Sequence, residues 1–183
     1  MHCLVKKRTA RDGPGLVTLI AAMDETRLIG TGEGGLPWRG MTRDKEHFSD
    51  YTAGKALLLG RRTFEEMLGW LDNDHRPIVI TRNRAYEPGG GRQVAGDIEE
   101  ALALAGSRGE KEVVVCGGAA IYRLALPFAD RLVLTLLHGR FDTAVPGVYF
   151  PGWEDANFRE VKRERFTADA ENPLSMTFLY LAR

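Results

Sequence analysis

The chain has 183 residues, and Lys+Arg 25 are balanced by Asp+Glu 25. A hydrophobic fraction of 44% and a charged fraction of 27% suit one folded domain and exclude disorder as the dominant state. Zero net charge argues against a bulk nucleic-acid binder, and no apolar run reaches membrane-spanning length.

In chain order, Met1 to Gly15 carries Lys6, Lys7, Arg8 and Arg11 with no apolar h-region behind them. It reads as a disordered extension (1–15) ahead of a domain over 16–183, with a basic partner-binding arm as the sharper alternative. Cys3 and Cys116 are too few for a disulfide framework and have no zinc spacing, so a reducing, cytoplasmic setting and no metal are expected. Leu16–Met23 reads as a first strand, Lys55–Leu59 as a second and Ile78–Thr81, after Pro77, as a third. Glu112–Cys116 and Arg131–Leu137 follow, and Phe158–Phe166 with Met176–Leu181 suits a closing antiparallel pair. Between them lie helical patterns. Thr42–Tyr51 has Thr42 as N-cap, Thr63–Leu68 is short, Asp97 caps a helix running to Ala105, and Ala119–Leu126 stops before Pro127. Strands alternating with helices imply an α/β fold with a largely parallel sheet. Ligands of such sheets sit beyond the carboxyl ends of the strands.

Four motifs fall at those ends. Gly30-Thr-Gly-Glu-Gly-Gly35 matches a dinucleotide fingerprint, but no helix opens there, so a glycine-rich loop over a site is expected instead. Trp38 at its end needs burial and a partner for its N–H. Cys116-Gly117-Gly118 runs straight into a helix, which is either a phosphate-facing helix start or a plain tight turn. Arg61-Arg62-Thr63 and Thr81-Arg82-Asn83-Arg84 follow two strands that would be neighbours, placing arginine forks on one rim. Asp44 and Phe48 share a helix face, so Asp44 is either an inward acid that binds something or a solvent-facing acid on the helix dipole. Asp24, Glu25, Glu65 and Glu66 read as surface charge. No nucleophilic triad, Walker A sequence or zinc motif is present.

The order of these pieces resembles dihydrofolate reductase of the bacterial chromosomal type. The resemblance rests on Leu19-Ile-Ala-Ala22, Arg27-Leu-Ile-Gly30, Leu36-Pro-Trp38, Asp44 with Phe48, Gly60-Arg-Arg-Thr63, Cys116-Gly-Gly118 with Tyr122, Leu134-Thr135 and Phe150-Pro151. The tail, Asp169-Ala-Glu-Asn172 then Phe178 and Leu181, continues the match, so it spans nearly the whole chain.

The resemblance implies a single-domain, monomeric α/β protein with a central, mostly parallel twisted sheet of about eight strands, an antiparallel C-terminal strand and flanking helices. It implies NADPH-dependent reduction of 7,8-dihydrofolate to tetrahydrofolate, serving one-carbon metabolism, with antifolates such as trimethoprim or methotrexate as inhibitors. Asp44 would accept hydrogen bonds from the pterin 2-amino group and N3. Thr135 would join that network and Trp38 would hold a water near it. The substrate walls would be Ile20, Ala22, Leu36, Phe48, Met67, Cys116 and Tyr122, with Arg76 gripping the glutamate tail. The cofactor would meet Ala22, Ile29, Gly30 and Leu36, then Gly60, Arg61, Arg62 and Thr63, then Thr81 and Arg82. It would also meet Cys116, Gly117, Gly118, Ala119, Ala120, Ile121 and Tyr122. Gly117–Gly118 would be a cis peptide, and Arg82 would read the adenosine 2′-phosphate.

The chain also departs from the family's pattern. Gly30–Trp38 is a residue longer than the common form, as is the stretch from Trp38 to Asp44. Pro146-Gly-Val-Tyr149 stands where an acid is common. A gapless match puts His75, not Arg76, at the tail-gripping position. A related pyrimidine or pterin reductase and a nucleotide-binding sensor are the other readings of the same scaffold.

Overall fold

The computed structural model describes residues 13–71 and 74–183. Most of the expected N-terminal extension, residues 1–12, therefore lies outside the described residues. Among the described residues ten strands form: β1 Leu16–Met23, β2 Leu28–Thr31, β3 Ala56–Gly60, β4 Arg76–Ile80, β5 Gln93–Ala95, β6 Glu112–Gly117, β7 Arg131–Leu137, β8 Gly147–Tyr149, β9 Arg159–Phe166 and β10 Met176–Ala182. Four α-helices lie among them: α1 Thr42–Thr52, α2 Arg61–Met67, α3 Ile98–Ser107 and α4 Ala119–Ala125.

Eight strands make one sheet in the order β5-β4-β3-β6-β1-β7-β10-β9, and β2 pairs with β8 in a separate ribbon. The pairings from β5 through to β7 are parallel, and β10 runs antiparallel to both β7 and β9. This is the expected α/β architecture. β1, β3 and β6 read as unbroken apolar runs because both of their faces are covered. β9 is charged and exposed along most of its length, as suits a sheet edge.

Alternation divides the strand residues between two layers. Val17, Leu19, Leu58, Ile78, Ile80, Val115 and Leu134 pack with Ile98, Leu102, Ile121 and Ala125 of α3 and α4. Ile20, Leu57, Leu59, Val79, Val114, Cys116 and Val133 pack with Phe48 and Tyr51 of α1 and with Phe64 and Met67 of α2. Asp97 caps α3 as expected, accepting from the Glu100 amide at 2.8 Å.

Several boundaries differ from expectation. Met41, not Thr42, holds the N-cap position of α1. The cap's work is done from far away: the Asn172 side-chain oxygen accepts from the Arg43 amide at 2.9 Å. Asn172 is itself held by Asp169, to which its amide nitrogen donates at 2.8 Å. α2 begins at Arg61, two residues early, because Gly60 supplies an extended N-cap. β4 begins at Arg76 and contains Pro77. The Arg76 amide donates toward β3, at Lys55, so the proline nitrogen faces the other side, where β5 begins only opposite Ile78. β2, β5 and β8 were not anticipated, being runs of three or four residues.

The far end of α1 is also tied down. Glu112 Oε1 accepts from the Thr18 hydroxyl at 2.6 Å and the Tyr51 hydroxyl at 2.8 Å. Lys55 Nζ stands 3.1 Å from Oε2 and 3.8 Å from the Tyr51 ring centroid. Burial alone would raise the Glu112 carboxyl, but these bonds outweigh it and hold the carboxyl below its ordinary pKa. Burial pushes the Tyr51 phenol up to about 12, so it remains a donor. A depressed carboxyl stabilises the fold above its unfolded pKa, and that stabilisation is lost as pH falls through the folded one. Glu112→Gln is therefore expected to cost about 1–3 kcal/mol at neutral pH. Urea unfolding across the acid range should show the deficit shrinking as pH falls.

Candidate active site

The parallel register brings a defined set of side chains to one place. Leu19 pairs with Val115 and Ala22 with Thr135, so the carboxyl ends of β6, β1 and β7 lie side by side. Ile20, Cys116 and Val133 share the face covered by α1. α1 opens over these ends, and Asp44 lies in its first turn. Asp44 thus sits on the helix dipole while its carboxyl faces the protein. Burial pushes that carboxyl above its ordinary pKa; a hydrogen bond from the Thr135 hydroxyl and the charge of Lys45 pull the other way without cancelling it. Asp44 and Thr135 are thus brought together.

A cavity of about 240 Å³ opens beside them, lined by Leu36, Trp38, Arg39, Gly40, Met41, Asp44 and Lys45. Trp38 is buried and packs on Phe141 with centroids 5.5 Å apart. Its Nε1–H has no hydrogen-bond partner among the described residues. Leu36 stands 54% exposed on the rim. Phe48 and Met67 close the layer above Ile20 and Cys116, and Ala22 packs beside Trp38. Tyr122 lies across the sheet with Ile121; its buried hydroxyl donates to the Ile20 carbonyl at 2.6 Å. Burial pushes the Cys116 thiol up, so it is no nucleophile.

A second feature adjoins the first. β3 ends at Gly60 and β6 at Gly117, and each leads directly into a helix with no side-chain cap, α2 and α4. Gly117–Gly118 is a cis peptide bond. Gly117 has φ +112°, and a Cβ there would stand 3.1 Å from the Tyr122 ring. A Cβ on Gly60 would stand 3.1 Å from Ile121 Cγ1, and one on Gly118 3.3 Å from Thr63 Oγ1. A Cβ would crowd each of these neighbours, and with glycine there the backbone of both turns is bare, with Ala119 and Ala120 continuing the second. The arginines divide. Arg61 pairs with Glu65 at 3.6 Å, and Arg84 with Glu100 at 2.9 Å. Arg62 and Arg82 are exposed, and neither makes an ion pair among the described residues. Thr81 ends β4's run beside Arg82 and donates its amide to Ala95 at 2.9 Å.

The Gly30–Gly35 stretch ends β2 at Thr31 and turns over 32–35, with no helix opening there. Its placement is firm: Gly32 donates to the Pro146 carbonyl at 2.8 Å, and Gly35 makes a long 3.4 Å contact to Glu66. Backbone pairing of Gly30 and Thr31 with β8 joins this stretch to Gly147 and Val148. Ile29 packs toward the α4 layer.

Two expectations are corrected. Arg76 is not in the cleft: its guanidinium makes a bidentate pair with Glu110 at 2.9 and 2.8 Å and also meets the Gly54 carbonyl. A shift of one residue along a strand changes the face. Val79 is on the α1 side and Ile78 and Ile80 on the other, which puts Arg76 on the α3 side and His75 on the α1 side. His75 is buried there, with Nε2 3.3 Å from Thr52 Oγ1. Asp24 is no surface charge. It is 2% exposed and accepts from the amides of Thr26, Leu28 and Phe141 at 2.7–3.0 Å, tying the β1–β2 turn to the chain after β7. Glu66 is exposed, as expected of surface charge, and makes the long contact to the glycine-rich turn. Lys45 also lines the cavity beside Asp44, a place that a lysine on an exposed helix face does not announce in the sequence.

The arrangement is that of an α/β enzyme whose ligand cleft lies beyond the carboxyl ends of a parallel sheet. A family model described as dihydrofolate reductase matches residues 16–183. The dihydrofolate reductase type 3 of Salmonella typhimurium is 34% identical over 168 residues, covering 92% of this chain and 98% of that one. The dihydrofolate reductase of Bacillus subtilis is 34% identical over 164 residues, covering 90% and 92%. A solved structure of dihydrofolate reductase from Enterococcus faecalis, complexed with NADP(H) and RAB-propyl, superposes with a TM-score of 0.81 at 29% identity, covering 93% of this chain and 98% of that one. The chain belongs to the dihydrofolate reductase family.

Because the Asp44 carboxyl is raised by burial, the folded state carries a cost at neutral pH that sets in as pH rises from the unfolded toward the folded pKa. Asp44→Asn removes the charge but keeps the shape. It is expected to unfold at a higher temperature than the parent at neutral pH, with the gap closing below the carboxylate range. Thermal melts at several pH values check this.

Proposed function

We propose that the chain reduces 7,8-dihydrofolate to tetrahydrofolate with NADPH, and that the cleft at Asp44 performs the chemistry. The observation that carries this is the half-buried Asp44 carboxyl, bonded by Thr135 at the edge of a cavity. A buried acid is costly unless something rewards it. The 2-amino group and N3 of a pterin are neighbouring donors, and the two oxygens of a carboxylate accept both at once. Ligand hydrogen bonds would restore the charged form that burial disfavours. Asp44 and Thr135 would then fix the ring's orientation, with Ile20, Ala22, Leu36, Phe48 and Met67 as its apolar walls.

The turns at Gly60, Gly117 and Gly118, where a Cβ would crowd Ile121, Tyr122 and Thr63, present bare backbone at two helix starts, which fits a nucleotide cofactor's close approach. Arg62 and Arg82 have charge to give to its phosphates, Arg82 to the 2′-phosphate that distinguishes NADPH from NADH. Arg61, Thr63 and Thr81 complete that rim, and Cys116, Tyr122, Ile29 and Gly30 lie toward its nicotinamide end. NADPH supplies a hydride to pterin C6 when bound. The chain's own task at that step is to exclude bulk water and admit one molecule. The orphaned Trp38 N–H suits such a water, and the turn at Gly30–Gly35 covers the approach. N5 is protonated through that water, while Asp44 holds the proton pattern at N3 and the 2-amino group.

One steady-state experiment tests the reading. NADPH oxidation should depend on added dihydrofolate. Asp44→Asn should lower kcat at neutral pH by about a hundredfold or more while NADPH still binds. Arg82→Ala should weaken NADPH by about tenfold and barely affect NADH. An absence of dihydrofolate-dependent oxidation in the parent protein, or an Asp44→Asn variant of normal kcat, would sink it.

A further inference from the structure

Asp24 directly follows β1 and is buried. Its Oδ1 accepts from the Thr26 amide and hydroxyl, both at 2.7 Å, and from the Leu28 amide at 3.0 Å. Its Oδ2 accepts from the Phe141 amide at 3.0 Å, 117 residues along the chain. A charge so enclosed is costly unless its lone pairs are met. Burial pulls this carboxyl up, and the four donors outweigh it and keep it below its ordinary pKa. Two routes run from the carboxylate to Trp38. Leu28 opens β2, which leads through the glycine-rich turn to Leu36 and Trp38. Phe141 sets its ring against the Trp38 ring, with centroids 5.5 Å apart and planes at 47°. Both rings belong to the apolar cluster of Met41, Leu137, Met176 and Phe178. Trp38 lines the cavity beside Asp44, and neither Asp24 nor Phe141 does. The Trp38 Nε1–H is buried without a partner among the described residues, so its aim depends on what packs against the ring.

We propose that Asp24 is a positioning residue for Trp38, acting through the amide and ring of Phe141. This rests on the dihydrofolate reading above, in which the Trp38 N–H holds the water that protonates N5. A fixed indole holds that water at one point. A loosened indole lets it shift, and small displacements are costly to proton delivery. Asn at position 24 separates the two routes. Its one carbonyl oxygen can serve Thr26 and Leu28, but its amide nitrogen then faces the Phe141 N–H, donor against donor. The β1–β2 turn is kept and the link to Phe141 is broken.

The test compares Asp24→Asn and Phe141→Leu, singly and together, with the parent. In the ligand-free proteins the Trp38 indole N–H resonance, identified by Trp38→Phe, should move in Asp24→Asn, while that of Trp70 stays in place. With NADPH and dihydrofolate saturating, the single-turnover rate of NADPH oxidation should fall about tenfold in Asp24→Asn at neutral pH and above, while Kd for either ligand stays within about twofold. The loss should shrink toward pH of about 6, where protons reach N5 more readily and Asp24 of the parent is still ionised. Phe141→Leu leaves the carboxylate's bonds intact and should repeat the whole pattern. Adding it to Asp24→Asn should cost little more, because the same path is broken twice. An unmoved Trp38 resonance, a loss independent of pH, or single losses that multiply in the double variant would overturn the proposal. A parent protein without dihydrofolate-dependent oxidation overturns the dihydrofolate reading instead, and the Trp38 resonance then still decides whether Asp24 holds the indole.

Discussion

The structure depends on one costly placement: a carboxylate held against the face of a parallel sheet. Asp44 could have faced water at the start of α1, where the helix dipole alone would favour it. Instead α1 is pinned at both ends so that its first turn overlies β1 and β7. At the amino end Asn172, from the chain before β10, accepts from the Arg43 amide. At the carboxyl end Tyr51 and Lys55 converge on Glu112 at the start of β6. Neither anchor touches the cavity. Both are needed for Thr135 to reach Asp44, because a helix free to tilt would carry the acid out to solvent.

The sheet's two faces divide the labour. On the α1 face, Ile20, Cys116 and Phe48 give an apolar surface ending in one acid. At the strand ends toward α2 and α4, glycines strip the backbone bare and arginines gather. The formal charge of zero conceals this separation of the half-buried Asp44 from a rim where Arg62 and Arg82 are exposed. Asp24 and the pairing of β2 with β8 hold the glycine-rich turn near both regions, chiefly through backbone hydrogen bonds.

What could be read in the sequence was what local pattern dictates. The unbroken apolar runs of β1, β3 and β6 declare a sheet covered on both faces, and Asp97 and Gly118 mark where helices begin. Order along the chain supplied the family. What stayed hidden depends on distant contacts. Thr42 looked like a cap because nothing in the sequence shows that Asn172 takes that part from 129 residues away. Asp24 looked like surface because its partner Phe141 lies beyond β7. Arg76 was the obvious cation for a carboxylate, and Pro77 obscured the start of β4. Only the strand's true register puts Arg76 on the α3 side with Glu110 and turns His75 toward α1. The short strands β2, β5 and β8 owe their existence to partners rather than to propensity.

The central claim is that Asp44 is a half-buried acid held against the sheet at a cost to its charged form, and it can be measured directly. Titration of the Asp44 carboxyl carbon by isotope-edited NMR in the ligand-free protein reports its own pKa, with Asp44→Asn identifying the resonance. Burial without full compensation predicts a midpoint above that of an ordinary aspartate. A midpoint at or below the ordinary value would mean that the carboxyl is solvated in the free protein, and the account built on its burial would be wrong.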